Sequence, residues 1–160
     1  MTDRHEQPWR LNSSSALLLQ VVIALVGLCV LGFLLFEPHV EGRNAHATTF
    51  EIYFHDPFLA YAYAGSIPFF LALYRAFRLA GHVRDHGARS QGTVEALRAI
   101  AYWMKVFLVF VAGGVVFILM FGDPDDRPAG MFMSLLVALP SIAAAIAAAR
   151  WARTVHNSLG

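Results

Sequence analysis

Charged residues and cysteine are both scarce in this sequence. Of 160 residues, 12 are Lys or Arg and 11 are Asp or Glu, whereas 58% are hydrophobic. A soluble domain of this length needs charge on every exposed face, so the composition points to a protein surrounded by lipid. The net charge of +1 gives no reason to expect nucleic acid as a partner. Cys29 is the only cysteine, which excludes an intramolecular disulfide, a CxxC redox pair and the paired thiols of quinone-linked thiol oxidases.

The long apolar runs contain no histidine, aspartate or glutamate. The lack of histidine excludes a haem held by two histidines at membrane depth. The lack of a carboxylate argues against a proton-coupled multidrug exporter. The sequence also has no HExxH helix, no phosphate-binding glycine loop and no nucleophile spaced plausibly from a base. It therefore predicts a protein that is not an enzyme and has no cofactor.

Four apolar runs are long enough to cross a bilayer. The first has 21 uncharged residues, which as a helix reach about 31 Å, the thickness of the hydrocarbon layer. The predicted spans are residues 16–36, 57–80, 99–121 and 131–149. The fold class is therefore all-α, a polytopic membrane protein with residues 1–160 in one domain.

A cleavable signal peptide is the alternative interpretation of the first span. Arg4 and Arg10 precede the run, and Ala45-His46-Ala47 resembles a cleavage site. The run is longer than the usual ~7 to 15 apolar residues of a signal peptide, and the Ala-His-Ala sequence lies well beyond its end. A membrane span is therefore favoured.

Several residues mark where the helices begin and how they bend. Asp56 before Pro57 is typical of a helix start, and Ser90 or Thr93 can cap the third helix. Pro68 lies within the second span and predicts a kink, with Ser66 among the groups that satisfy the freed backbone.

Small residues predict close helix packing. Ser141, Ala145 and Ala149 recur at a spacing of four, with Ala144 and Ala148 beside them, so this face should be buried. The second and third spans also contain small residues that would allow a neighbouring helix to come close. These are Ala60 and Ala64 in the second span and Gly113-Gly114 in the third.

Lys105 is the one charged residue within the third span, whereas Arg75 and Arg78 mark the interface at the end of the second. Tyr102 and Trp103 just before Lys105 indicate the membrane interface. The ammonium group is therefore expected to extend back to the lipid headgroups. A functional lysine inside the helix bundle is the alternative.

The charges are divided unequally between the two sides of the predicted membrane. Residues 1–15, 75–98 and 150–160 contain nine Lys or Arg and four Asp or Glu, whereas residues 37–56 and 122–130 contain two and seven. Since basic loops stay in the cytoplasm, both termini are predicted to be cytoplasmic.

The two outer loops contain histidine and carboxylate residues that are possible metal ligands. Their spacing matches no known metal motif, so solvated acidic loops remain the simpler interpretation, with Asp126 and Pro128 starting the fourth helix. The metal-ligand candidates are His39, His46, His55, Asp123, Asp125 and Asp126. On the other side, His82 and His86 are four residues apart and are most simply surface residues of a basic linker that faces lipid headgroups.

Three segments resemble a family of small bacterial four-helix membrane proteins, a domain of unknown function. They are YFHDPFLAYAYAGSIPFFLALYRAFRL at 53–79, SQGTVEALRAI at 90–100 and GDPDDRPAGMFM at 122–133. The resemblance covers about two-thirds of the chain and implies the four-span topology in a bacterial inner membrane, but no catalytic residues. In some relatives the gene lies beside a helix-turn-helix regulator, which implies a membrane partner in regulation.

Three functions remain open at the level of sequence. The first is a non-enzymatic accessory, sensory or regulatory protein that binds a membrane partner or a second copy of itself. The second is a small oligomeric transporter or channel subunit with an acidic outer mouth. The third is sensing of divalent metal by the outer loops. In each case the lipid bilayer is the surrounding medium.

Overall fold

The computed structural model describes residues 11–40 and 57–159, and all regular structure within them is helical. The helices are α1 Ser13–Val40, α2 Pro57–His86, α3 Gln91–Phe121 and α4 Arg127–Asn157. They contain 28, 30, 31 and 31 residues, or about 42 to 47 Å each. All four are long and apolar enough to cross a membrane, which confirms the predicted all-α, four-span fold.

Three helices, α2, α3 and α4, begin where expected. Pro57 is the first residue of α2, while Asp56 lies outside the described residues. Ser90, rather than Thr93, caps α3, because its Oγ accepts a hydrogen bond from the Thr93 N–H at 3.2 Å. Asp126 precedes α4, which has proline in its first turn, but the Asp126 side chain makes no capping hydrogen bond.

The helices pack mainly against their neighbours in sequence. Contact is most extensive between α3 and α4, less so between α2 and α3, and least between α1 and α2. The cluster of buried apolar side chains draws on α2, α3, α4 and the turn between α2 and α3. Among the described residues, α1 therefore lies at the edge of the molecule and packs chiefly on α2.

The core is concentrated at one end of the molecule, where α1 begins, α4 ends and α2 connects to α3. We call this the α2–α3 end and the opposite one the α3–α4 end. In the described part of the chain, no residue of α2 before 65, of α3 after 104 or of α4 before 141 is buried. Apolar burial is favourable in water but gains little in lipid, so the best-packed end is the one expected to project from the membrane. Its buried side chains include Leu79, Val83, Val94, Leu97, Ala152 and Val155.

Proline is accommodated within continuous helix. Pro68 is buried inside α2, which continues on both sides of it. The Ser66 hydroxyl donates to the Tyr63 carbonyl at 2.7 Å. The carbonyl that loses its N–H partner to proline is that of Ala64, four residues earlier. Ser66 therefore bonds a different carbonyl from the one that Pro68 frees.

The small-residue face of α4 is buried, with a shift after Ala145. Ser141, Ala145 and Ala148 are buried as predicted, whereas Ala149 is half-buried and Ala144 is exposed. The buried stripe continues through Ala152 and Val155, because a straight helix has 3.6 residues per turn and a strict spacing of four drifts off one face.

The prediction that Ala60 and Ala64 take part in close helix packing is wrong. Ala60 and Ala64 are exposed. The close approach involves Gly65 instead, where an added Cβ would come within 3.2 Å of Phe110. On α3, Gly113 lies against Tyr61. Large aromatic rings on each helix thus face glycine on the other.

Candidate functional site

The turn between α2 and α3 contains a chain of polar side chains. Gly87 follows α2 with a φ of 83°, a left-handed conformation that glycine adopts without strain. After this turn, Ser90 Oγ lies 2.9 Å from His82 Nε2 and 3.0 Å from Thr93 Oγ1. Thr93 is 0% exposed. The Ser90 hydroxyl therefore joins the end of α2 to the first turn of α3.

His82 and His86 stack at the end of α2, with ring centroids 4.6 Å apart and planes inclined by 18°. His86 is exposed, but His82 is half-buried and hydrogen-bonded, so the interpretation of His82 as a plain surface residue is wrong. Gly92 leaves room for the ring, since a Cβ there would lie 2.8 Å from His82 Nε2. The local sequence could not show this, because the contact depends on how α3 folds back against α2.

Other charged groups at this end lie on exposed faces. Arg84 and Asp85 form an ion pair at 2.8 Å. The Arg78 guanidinium lies 5.9 Å from the centre of the Tyr74 ring and donates to its hydroxyl at 3.3 Å. Such contacts orient arginine at a surface and add little stability.

Lys105 is exposed and does not face the helix bundle. Tyr102 is 57% exposed, as expected of an interfacial residue, whereas Trp103 is half-buried and packs against the core. The surface position of Lys105 agrees with the prediction that its ammonium group extends to the headgroups.

Polar side chains within the spans were missed by the sequence reasoning. Gln20 Nε2 donates to the Phe77 carbonyl at 3.2 Å, and the Tyr63 hydroxyl donates to the Leu34 carbonyl at 2.6 Å. The Tyr61 hydroxyl donates to the Phe110 carbonyl at 2.8 Å. The first two bonds join α1 to α2, and the third joins α2 to α3. The available signal was a polar or tyrosine side chain inside an apolar run, where it needs a partner.

Half of the metal-ligand candidates can be located. Asp123, Asp125 and Asp126 are exposed in the turn before α4, and Asp123 Oδ1 accepts the Asp125 N–H at 3.2 Å. Among the described residues, no group of three His, Cys, Asp or Glu side chains is arranged to hold a metal ion. The side chain of His39, and His46 and His55, lie outside the described part. Metal binding by the outer loops stays a prediction.

The hydrogen bonds of Gln20, Tyr61 and Tyr63 join neighbouring helices. With four helices long and apolar enough to cross a membrane, the chain is an integral membrane protein. It belongs to the family described as a protein of unknown function (DUF2975), whose model matches residues 43–158. It is 29% identical over 140 residues to the uncharacterized membrane protein YoaS of Bacillus subtilis (strain 168). The aligned region covers 87% of this chain and 88% of that protein. No solved structure matches. The resemblance stated from the sequence is confirmed.

Proposed function

We propose that the protein is a non-enzymatic component of the bacterial inner membrane that binds and regulates another membrane protein. The observation that carries this proposal is a second small-residue face on α4. The first face, with Ser141 and Ala145, packs inside the molecule. The second is exposed and includes Pro140, Ala143 and Ala147.

The exposed small face suits another helix better than lipid. Small residues let two helix backbones approach closely, which is how helices associate where no hydrophobic effect operates. Elsewhere α4 exposes large side chains such as Leu135 and Leu139, 55% and 57% exposed, as expected against acyl chains. The contrast between the two surfaces supports a partner helix at residues 140–147.

A photo-crosslinker at Ala147 tests this proposal in native membranes. We expect one crosslinked band whose mass exceeds the monomer by that of a different protein, and none from the same probe at Leu135. Ala143→Ile should abolish the band, because a branched side chain prevents close approach, while Ile142→Leu should leave it unchanged. Equal labelling from both positions, or a band of twice the monomer mass, would contradict an accessory role.

The proposal also places both termini in the cytoplasm. The exposed arginines of the α2–α3 end support this orientation, since basic residues remain on the cytoplasmic side. A fluorescent protein fused after residue 160 is expected to fluoresce, and alkaline phosphatase at the same position to be inactive. The reverse pattern would overturn the orientation without affecting the fold.

A further inference from the structure

Exposed arginines lie at the same level on three helices of the α2–α3 end. The ring centroids of Phe69 in α2 and Phe107 in α3 are 5.3 Å apart, so these residues are level. Arg78 is nine residues beyond Phe69, and Arg98 is nine residues before Phe107, each about 13 Å away along its helix. Because the two helices are antiparallel, Arg78 and Arg98 are level as well.

The same argument brings in α4. A Cβ on Gly130 would lie 3.0 Å from Ile118, which fixes the register of α3 against α4. Arg98 is 20 residues before Ile118, and Arg150 is 20 residues after Gly130, so these arginines also share a level. We call the exposed set at this level the basic belt. It consists of Tyr74, Arg78, Arg98, Tyr102, Arg150 and Trp151.

Aromatic and basic groups in the belt are accessible together. Tyr74, Tyr102 and Trp151 are 53%, 57% and 46% exposed. Among the described residues, the one ion pair is that between Arg84 and Asp85. The guanidinium groups of the belt arginines therefore form no ion pair with a carboxylate of the described residues. Exposed tyrosine and tryptophan mark the headgroup level of a membrane. The guanidinium groups therefore lie where lipid phosphates lie.

One face of α3 combines this belt with an apolar surface. Arg98, Tyr102 and Lys105 are all exposed and follow one another at spacings of four and three, which puts them on one face over about 10 Å. Farther along the same face, Val109 and Val116 are 71% and 54% exposed. Lys105 lies on the acyl side of Tyr102, from where a lysine side chain is long enough to reach back to the headgroups.

We propose that Arg98, Tyr102 and Lys105 bind the headgroup of an anionic phospholipid, with an acyl chain along Val109 and Val116. The two cations and the tyrosine hydroxyl on this face are hydrogen-bond donors for the negatively charged oxygens of a phosphodiester. The apolar continuation of the face favours a lipid over a free phosphate, which would make no contact with the valines. Arg78 and Arg150 extend the positive charge to neighbouring headgroups.

The test measures lipid binding to the purified full-length protein in detergent by native mass spectrometry. Phosphatidylglycerol is expected to bind more tightly than phosphatidylcholine. Arg98→Gln and Lys105→Gln should each weaken phosphatidylglycerol binding about fivefold, the effect of one basic residue at an anionic surface. Arg98→Lys should retain most of it. Arg84→Gln is the matched control, because Arg84 is paired with Asp85, and should change nothing.

Each alternative has a distinct result. Equal binding of the two lipids by the unmodified protein would overturn the proposal and leave a purely apolar groove. Competition by soluble glycerol phosphate would overturn it in favour of a site for free phosphate. Wild-type affinity in the Arg98→Gln and Lys105→Gln double variant would overturn the assignment to these residues. Arg98 and Lys105 are exposed, so thermal unfolding of their variants in phosphatidylcholine should match the unmodified protein.

Discussion

Gly113→Ala is expected to destabilise the protein by about 1–3 kcal/mol, the usual cost of overpacking. Within an exposed helix the same change would stabilise it by roughly 0.5–1 kcal/mol, so the expected sign is reversed. The cause is Tyr61, whose hydroxyl would collide with the new Cβ. Moving the ring also breaks the 2.8 Å hydrogen bond from Tyr61 to the Phe110 carbonyl. Thermal unfolding in detergent, followed by circular dichroism, measures the change.

The neighbouring glycine provides the control. A Cβ on Gly114 would lie 3.7 Å from Tyr61 Cε1, an ordinary van der Waals contact, so Gly114→Ala should be neutral or slightly stabilising. Tyr61→Phe removes the colliding oxygen and should recover part of the stability that Gly113→Ala loses. An equal effect of the two alanines, or no recovery in the double variant, would contradict the packing described for α2 and α3.

Ser90→Ala is expected to cost about 1–3 kcal/mol, because one hydroxyl serves three partners. It caps α3, a contribution of roughly 1 kcal/mol. Its loss also leaves the fully buried Thr93 hydroxyl and the half-buried His82 ring without this partner, and an unsatisfied buried polar group costs about as much again. The unfolding temperature reports the total.

Ser134→Ala is the matched control for the serine change. The Ser134 hydroxyl bonds the Gly130 carbonyl within its own helix at 2.8 Å, so its removal breaks no link between helices. Nuclear magnetic resonance of the His82 ring adds a local readout, since its chemical shifts should change in Ser90→Ala alone. Equal destabilisation by the two alanines, with an unchanged His82 signal, would contradict a bridging role for Ser90.

The membrane spans were predictable from sequence because they depend on local properties. An uncharged run of about 20 residues needs no knowledge of its neighbours to be recognised as a span. The same holds for Pro57 at the start of α2 and Ser90 at the start of α3, since a cap acts within one turn. The exposure of Lys105 was also predicted, from the aromatic residues beside it.

Contacts between helices were not predictable in the same way. The pairing of Tyr61 with Gly113 and of Phe110 with Gly65 depends on the rotation and register of two helices that are both apolar all round. Lipid gives no preference for one face over another, so the pattern of apolar residues does not encode that rotation. His82 was misjudged for a related reason, since its burial arises from the path of the chain after Gly87.

The basic belt combines a predictable and an unpredictable feature. The sequence shows each arginine, and the basic charge predicts on which side of the membrane its loop lies. That Arg78, Arg98 and Arg150 lie at one level follows only from the register of α2 against α3 and of α3 against α4. Of the metal-ligand candidates, Asp123, Asp125 and Asp126 have known positions. The side chain of His39, and His46 and His55, lie outside the described residues.

The peripheral helix α1 decides whether the number of membrane spans is odd or even. The described side chains of this helix contribute no member to the buried cluster, and the region that matches the family model begins at residue 43, after α1. Helices α2 to α4 alone would cross the bilayer three times and leave their two ends on opposite faces. With α1 there are four candidate spans among the described residues, an even number. A helix that adds little to the packed core thus decides whether the chain enters α1 on the same side of the bilayer as it leaves α4.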